Sequence, residues 1–197
     1  MPRFAIKLML STAFLLAAAP AASGHAGRAS AQANHGEMRR IYDADQVPRT
    51  AGGAAVDWNV VGPQDAARRQ RTRELLDAGV LKTGDDFYHA ATVFQHGNEA
   101  SDYMLAHTLA VVAASRGRSD AAWMAAATLD RYLQAVGHSQ VYGTQYRTPD
   151  RQNTTQEPYD RTLISDALRR ALGVATQAEQ EVRRREIEAR YRNTPNP

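Results

Sequence analysis

Cysteine is absent from all 197 residues. That excludes disulfides, thiol catalysis, cysteine-held zinc and a lipid-modified N-terminal cysteine, and it leaves stability to packing. Lysine is nearly missing too, with only Lys7 and Lys82; the arginine excess reads as genomic composition rather than a binding signal. Acid is missing from the first 33 residues, which hold Arg3, Lys7 and Arg28. Removing those three from the 24 basic side chains leaves 21, equal to the 21 acidic ones. The formal charge of +3 thus vanishes from the rest of the chain, and with it a basic footprint for nucleic acid. A G-x-S-x-G elbow, an H-E-x-x-H pair and a phosphate-cradling P-loop are missing as well.

Residues 1–33 predict a secretory signal peptide. Arg3 and Lys7 make a basic start, and Leu8 to Ala19 an apolar run of signal length, short of the roughly 20 residues that span a bilayer. Small-residue cleavage sites follow at Gly24-His25-Ala26 and Ala31-Gln32-Ala33. No later segment has the length and apolarity to cross a membrane. The expected product is exported, either periplasmic or secreted.

The remainder predicts an all-α fold, an antiparallel bundle of about five to six helices arranged as repeat-like hairpins. Residues 34–62 form an N-terminal arm with a short helix at Glu37–Ala44. An irregular link follows at Pro48, Gly52-Gly53 and Gly62-Pro63, and Trp58, Val60 and Val61 dock the arm. Residues 63–175 form the helical domain, opened by a helix over Gln64–Ala78. Three central helices then have Thr83, Ser101 and Ser119 as N-caps and Gly97, Gly117 and Gly137 after their ends. The spacing of those glycines is similar to that of tetratricopeptide and Sel1-like hairpins, whose consensus is not met. Tyr103–Ala114 is apolar nearly all round and so expected to be central and buried. The next helix has a stripe of Ala122, Ala126, Leu129, Leu133 and Val136. A small β-hairpin is expected near 140–159, then a helix over Ser165–Leu172. Residues 176–197 form a charged C-terminal helix and tail.

The central helices carry polar residues at the margins of their apolar faces: Gln95, His96, His107, Asp130 and Arg131. Neighbours in sequence point about 100° apart on a helix, so Asp130 and Arg131 cannot simply neutralise each other. Each needs a partner from elsewhere, because unpaired polar atoms at a core margin are costly. His89 and His96 stand about 10.5 Å apart along the axis by helix rise, too far to share one ion, and no cofactor motif accompanies them. No metal or cofactor is expected.

The order Gln95-His96-Gly97, Asp130-Arg131, then Gln140-x-Tyr142-Gly143-Thr144-Gln145 resembles a bacterial family of domains of unknown function. Its signature is a Q-H pair, a D-R pair and a Q-x-Y-G-T-Q segment. Asp45-Gln46 with Arg49 resembles its N-terminal arm, and the likeness covers roughly Glu37 to Gly173. The chain departs from it at Gly97, where a residue such as alanine is expected, and in its charged C-terminal extension. The resemblance implies a mostly helical domain with these residues gathered together.

Two functional expectations follow. In the first, Gln95, Arg131, Gln140, Tyr142, Thr144 and Gln145 line one polar pocket for a small-molecule or peptide ligand, which it either binds or hydrolyses. His96 is then a catalytic acid–base candidate oriented by Asp130, and Arg131 an anion clamp. In the second, the same residues are internal struts of a scaffold that binds a protein partner. N-terminal mass determination on envelope material should find the mature chain starting near Gly27 or Asn34; an intact Met1 in a soluble cytoplasmic fraction contradicts export.

Overall fold

The computed structural model describes residues 32–50, 56–150 and 152–193. Residues 1–31 of the signal peptide expected at 1–33, and the Gly52-Gly53 link, lie outside the described residues. Described residues form seven helices: α1 (Gly36–Thr50), α2 (Trp58–Asp77), α3 (Gly84–Gln95), α4 (Ala100–Ser115), α5 (Ala121–Ala135), α6 (Asp166–Ala171) and α7 (Gln177–Asn193). None of them is long and apolar enough to cross a membrane.

α3 starts where Thr83 and Asp86 make a reciprocal capping box, each side chain taking the other's backbone N–H. Short links then fold α4 back on α3. The start of α3, at Gly84, approaches the carbonyls of Ala113 and Arg116 at the far end of α4. Gly117 and Gly137 end α4 and α5 with positive φ, at 89° and 79°, as helix-terminating glycines do. α4 packs between α3 and α5, while α1 and α2 lie against α3. Alanines at the contacts, among them Ala90, Ala106 and Ala110, are fully buried and allow the helices to approach closely. Phe94 and Met38 fill the centre of the core.

Several expectations are corrected. α1 does not break before Pro48 but runs to Thr50. Its last turn is held by Arg49, which donates to the Asp45 carbonyl at 2.6 Å and reaches Asp65 on α2 at 2.5 Å. α2 starts six residues earlier than expected, capped by Asp57. This leaves Trp58 63% and Val60 54% exposed rather than docked, and of the three expected to dock only Val61 is buried. Ser101 and Ser119 are not N-caps; those positions fall to Glu99 and Asp120. α4 is central but not wholly buried, since Val111 is 48% exposed on the side away from both neighbours. On α5 the buried positions include Ala121, Met124 and Thr128, while Val136 of the predicted stripe is exposed. His107 is half-buried, its Nδ1 2.9 Å from the Ala125 carbonyl.

The β-hairpin does not form among the described residues. Two isolated bridges stand in its place, Gln140 with Tyr159 and Arg147 with Thr155. The cause is competition for backbone hydrogen bonds: buried side chains take the N–H groups that a ladder would need.

His89 on α3 is buried and stacked on Tyr42 of α1, with ring centroids 4.2 Å apart. Its Nδ1 is shielded from water without a partner. Burial holds the imidazole pKa below its ordinary value, opposed by the nearby Asp85 carboxylate. The unfolded chain therefore binds this proton more readily than the folded one. The contribution is intact above a pH of about 6.5, the ordinary histidine value, and is lost as pH falls below it, with a slope of at most about 1.4 kcal/mol per pH unit. Denaturant melts from pH 7.5 to 5 should show this decline in the native chain and a shallower one in His89→Phe.

Candidate ligand-binding site

A helix leaves its last carbonyls without N–H partners. At the end of α3 three other helices supply them. Arg131 Nη1 of α5 donates to the Gln95 carbonyl at 2.8 Å, Arg69 Nη1 of α2 to that of His96 at 3.2 Å, and the Tyr103 hydroxyl of α4 to that of Gly97 at 2.8 Å. Two of these donors are cations, which the negative end of the helix dipole favours. Gly97 is required here by space, since a Cβ would overlap the Asp102 side chain, which Arg69 holds at 3.6 Å.

Asp130 lies one position before Arg131 and is fully buried. Its carboxylate accepts the backbone N–H groups of Val141 (2.8 Å), Tyr142 (3.0 Å) and Thr144 (2.9 Å), and the Thr144 hydroxyl (2.8 Å). Gln140, also fully buried, uses its amide as a substitute peptide group. Its Oε1 accepts from the Gln145 N–H at 3.0 Å, and its Nε2 donates to the carbonyls of Gln145 at 3.0 Å and Gln156. Gly143 has a φ of +79°, and a Cβ there would strike Gln180 and Tyr159, so glycine is required twice over.

Four residues that fix this segment went unnoticed in the sequence: Gln156, Tyr159, Arg169 and Gln180. Gln156 Nε2 donates to the Gly143 carbonyl at 2.6 Å, and Gln180 Nε2 to that of Tyr142 at 2.8 Å. Arg169, wholly buried, donates to Tyr142 and Val141 carbonyls and to the Tyr159 hydroxyl. Their signal was weak, because an arginine and a glutamine on charged helices read as solvated. Tyr142 serves the segment through its backbone, and its ring is half-buried.

Between α4, α5 and this segment lies an open groove of about 460 Å³, lined by Asn98, Tyr103, Arg131, Gln134, Ala135 and Gln145. Arg131 Nε donates to Gln145 Oε1 at 3.1 Å. Gln145 Nε2 is anchored in turn on the Ala127 carbonyl and Thr144. Desolvation lowers the Arg131 pKa from its ordinary value, although a guanidinium stays charged. Gln134, one turn on from Arg131, has its Nε2 shielded from water with no partner.

The expected pairing of His96 with Asp130 is not found. His96 Nδ1 lies 2.9 Å from Asp45 of α1; a carboxylate has no hydrogen to give, so Nδ1 is the donor. The fully buried Asp45 also accepts from Gln46 at 2.8 Å and from Arg49 at 3.3 Å, and Arg49 continues to Asp65 and Arg68. His96 thus turns to α1 and α2, whereas Arg131 and Gln145 face the groove. Gln95 contributes its carbonyl, and its side chain makes no hydrogen bond among the described residues. No three His, Asp or Glu side chains among the described residues gather to hold a metal. Comparison with protein families, curated proteins and solved structures finds no match.

Asp130→Ala leaves three backbone donors buried and unmet, and should destabilise the chain by about 3 kcal/mol or more. Tyr142 meets Asp130 only through its backbone, so the informative partner is Thr144. Denaturant titrations of Asp130→Ala, Thr144→Ala and the double variant should depart from additivity by at least ~0.5 kcal/mol.

Proposed function

We propose that this chain is an exported helical binding module that takes a small polar ligand in the groove between α4, α5 and Gln145. The observation that carries this reading is Gln134, whose Nε2 is desolvated and unpartnered in the groove wall. A buried donor left unmet costs about 1–3 kcal/mol, and a turn of the terminal amide offers it to an acceptor on a ligand. The groove's size suits this, since small-molecule sites run from roughly 300 to 1,000 Å³. Its wall is held rigid by the bonds from Asp130 and Gln140.

Binding is favoured over hydrolysis. His96 and Asp45 form a base and its orienter, but neither lines the groove. The Tyr103 hydroxyl in the groove is spent on the Gly97 carbonyl. The scaffold reading draws support from Asp130 and Gln140, which are buried and satisfied as struts. It leaves Gln134 without an account, however. We take the family resemblance as a further proposal, in which the Q-x-Y-G-T-Q segment is the groove's rigid wall.

Gln134→Leu separates the two. On the binding reading it removes an unmet donor, so the ligand-free melting temperature should rise by about 2–4 °C per kcal/mol gained. Native mass spectrometry of envelope-purified protein should show a small-molecule adduct on the native chain that this variant lacks. An unchanged adduct in the variant, or none on either chain, contradicts the proposal.

A further inference from the structure

Arg131 is set apart from the other largely buried arginines. Arg49, Arg68, Arg69 and Arg169 each hold a carboxylate within ion-pair distance. Arg131 pairs with no carboxylate among the described residues. Its bonds go to the neutral oxygens of Gln95 and Gln145, through Nη1 and Nε. The α3 dipole offsets its charge only in part, being equivalent to roughly half a charge at a helix end. Nη2 has no hydrogen-bond partner among the described residues. The groove is therefore lined by a cation without a carboxylate partner and with an unused donor edge, and one helical turn further on by Gln134, whose Nε2 is shielded from water and unmatched until the amide turns.

We propose, resting on the binding reading above, that the groove's ligand carries a carboxylate. One of its oxygens meets the free edge of Arg131 and the other the Gln134 amide. A guanidinium N–H that donates to a carboxylate oxygen makes a charge-assisted bond, about twice as strong as a neutral one. The spacing suits this, because residues three apart on a helix are neighbours on one face. A dianion such as phosphate fits less well. Arg131 is the single cation in the lining; Asn98, Tyr103, Gln134, Ala135 and Gln145 bring no second positive charge. The Tyr103 ring and Ala135 give the rest of the ligand an apolar surface, and the open side admits either a free acid or the carboxyl end of a peptide.

The test follows the Arg131 side-chain Nε–H signal of the purified full chain by NMR during titration. The probes are N-acetyl-L-alanine, its neutral amide and inorganic phosphate. A tetrapeptide ending in free alanine distinguishes a peptide end from a small acid. The expected result is a saturable shift with the acid, at least about tenfold weaker binding of the amide, and phosphate no tighter than the acid. Arg131→Lys, which keeps the charge but loses the Nη2 donor held in place by Nε and Nη1, and Gln134→Leu should each weaken the acid about tenfold. The Gln134 side chain makes no hydrogen bond to the described chain, its contacts there being through the backbone carbonyl, so its variant keeps the fold even where an Arg131 variant loses stability. Equal binding of acid and amide overturns the carboxylate while leaving the binding reading in place. So does acid binding that is unchanged in Gln134→Leu and in a folded Arg131→Lys. Phosphate binding tighter than the acid also overturns it. Failure of every probe, together with no retained adduct, overturns both proposals.

Discussion

Three carbonyls where the chain leaves α3 are the constraint on which the bundle depends. Gln95, His96 and Gly97 have no helical N–H ahead of them, and the bundle closes over them, so water cannot satisfy them all. Arg131, Arg69 and Tyr103 do so from three different helices. Each of those helices is thereby fixed in rotation and height against the same helix end. A loss at any one leaves a desolvated carbonyl, which is why polar residues stand where a plain helical repeat would carry alanine or leucine.

A second constraint grows from the first. Arg131 is positioned by the Gln95 carbonyl, so Asp130 turns toward the chain that leaves α5. One buried carboxylate there collects three backbone N–H groups, and the Gln140 amide spans residues 145 and 156. Side chains do the work of a β-ladder. α6 and α7 then join the bundle chiefly by supplying Arg169 and Gln180 to the same segment. The charged C-terminal helix is therefore part of the site's support, and its polar face is in use.

The polar residues divide into two groups by what surrounds them. Asp130, Gln140, Thr144 and Asp45 are matched by internal partners. Arg131 and Gln134 are incompletely matched and border the groove. A protein tolerates such a mismatch at some cost in stability, and the proposed ligand would supply the missing partner. The paired His96 and Asp45 sit on the other side of Gln95, which separates the most familiar acid–base pair in the chain from the groove.

Helical content, the N-cap at Thr83, and the glycine ends at Gly117 and Gly137 were legible in the sequence. They rest on local rules of capping, φ and periodicity. The need of Asp130 and Arg131 for distant partners was legible too, because helix geometry keeps adjacent side chains apart. The identity of those partners was not. His96 takes Asp45 from 51 residues away, and α2 extends through a Gly-Pro pair that reads locally as a stop. The predicted hairpin loses its N–H groups to a carboxylate on another element. By itself, the sequence determined which segments are helical and which residues carry unmet hydrogen-bonding capacity. Tertiary structure alone decided who satisfies whom, because a buried polar group takes whatever partner the packing of distant helices brings within about 3 Å.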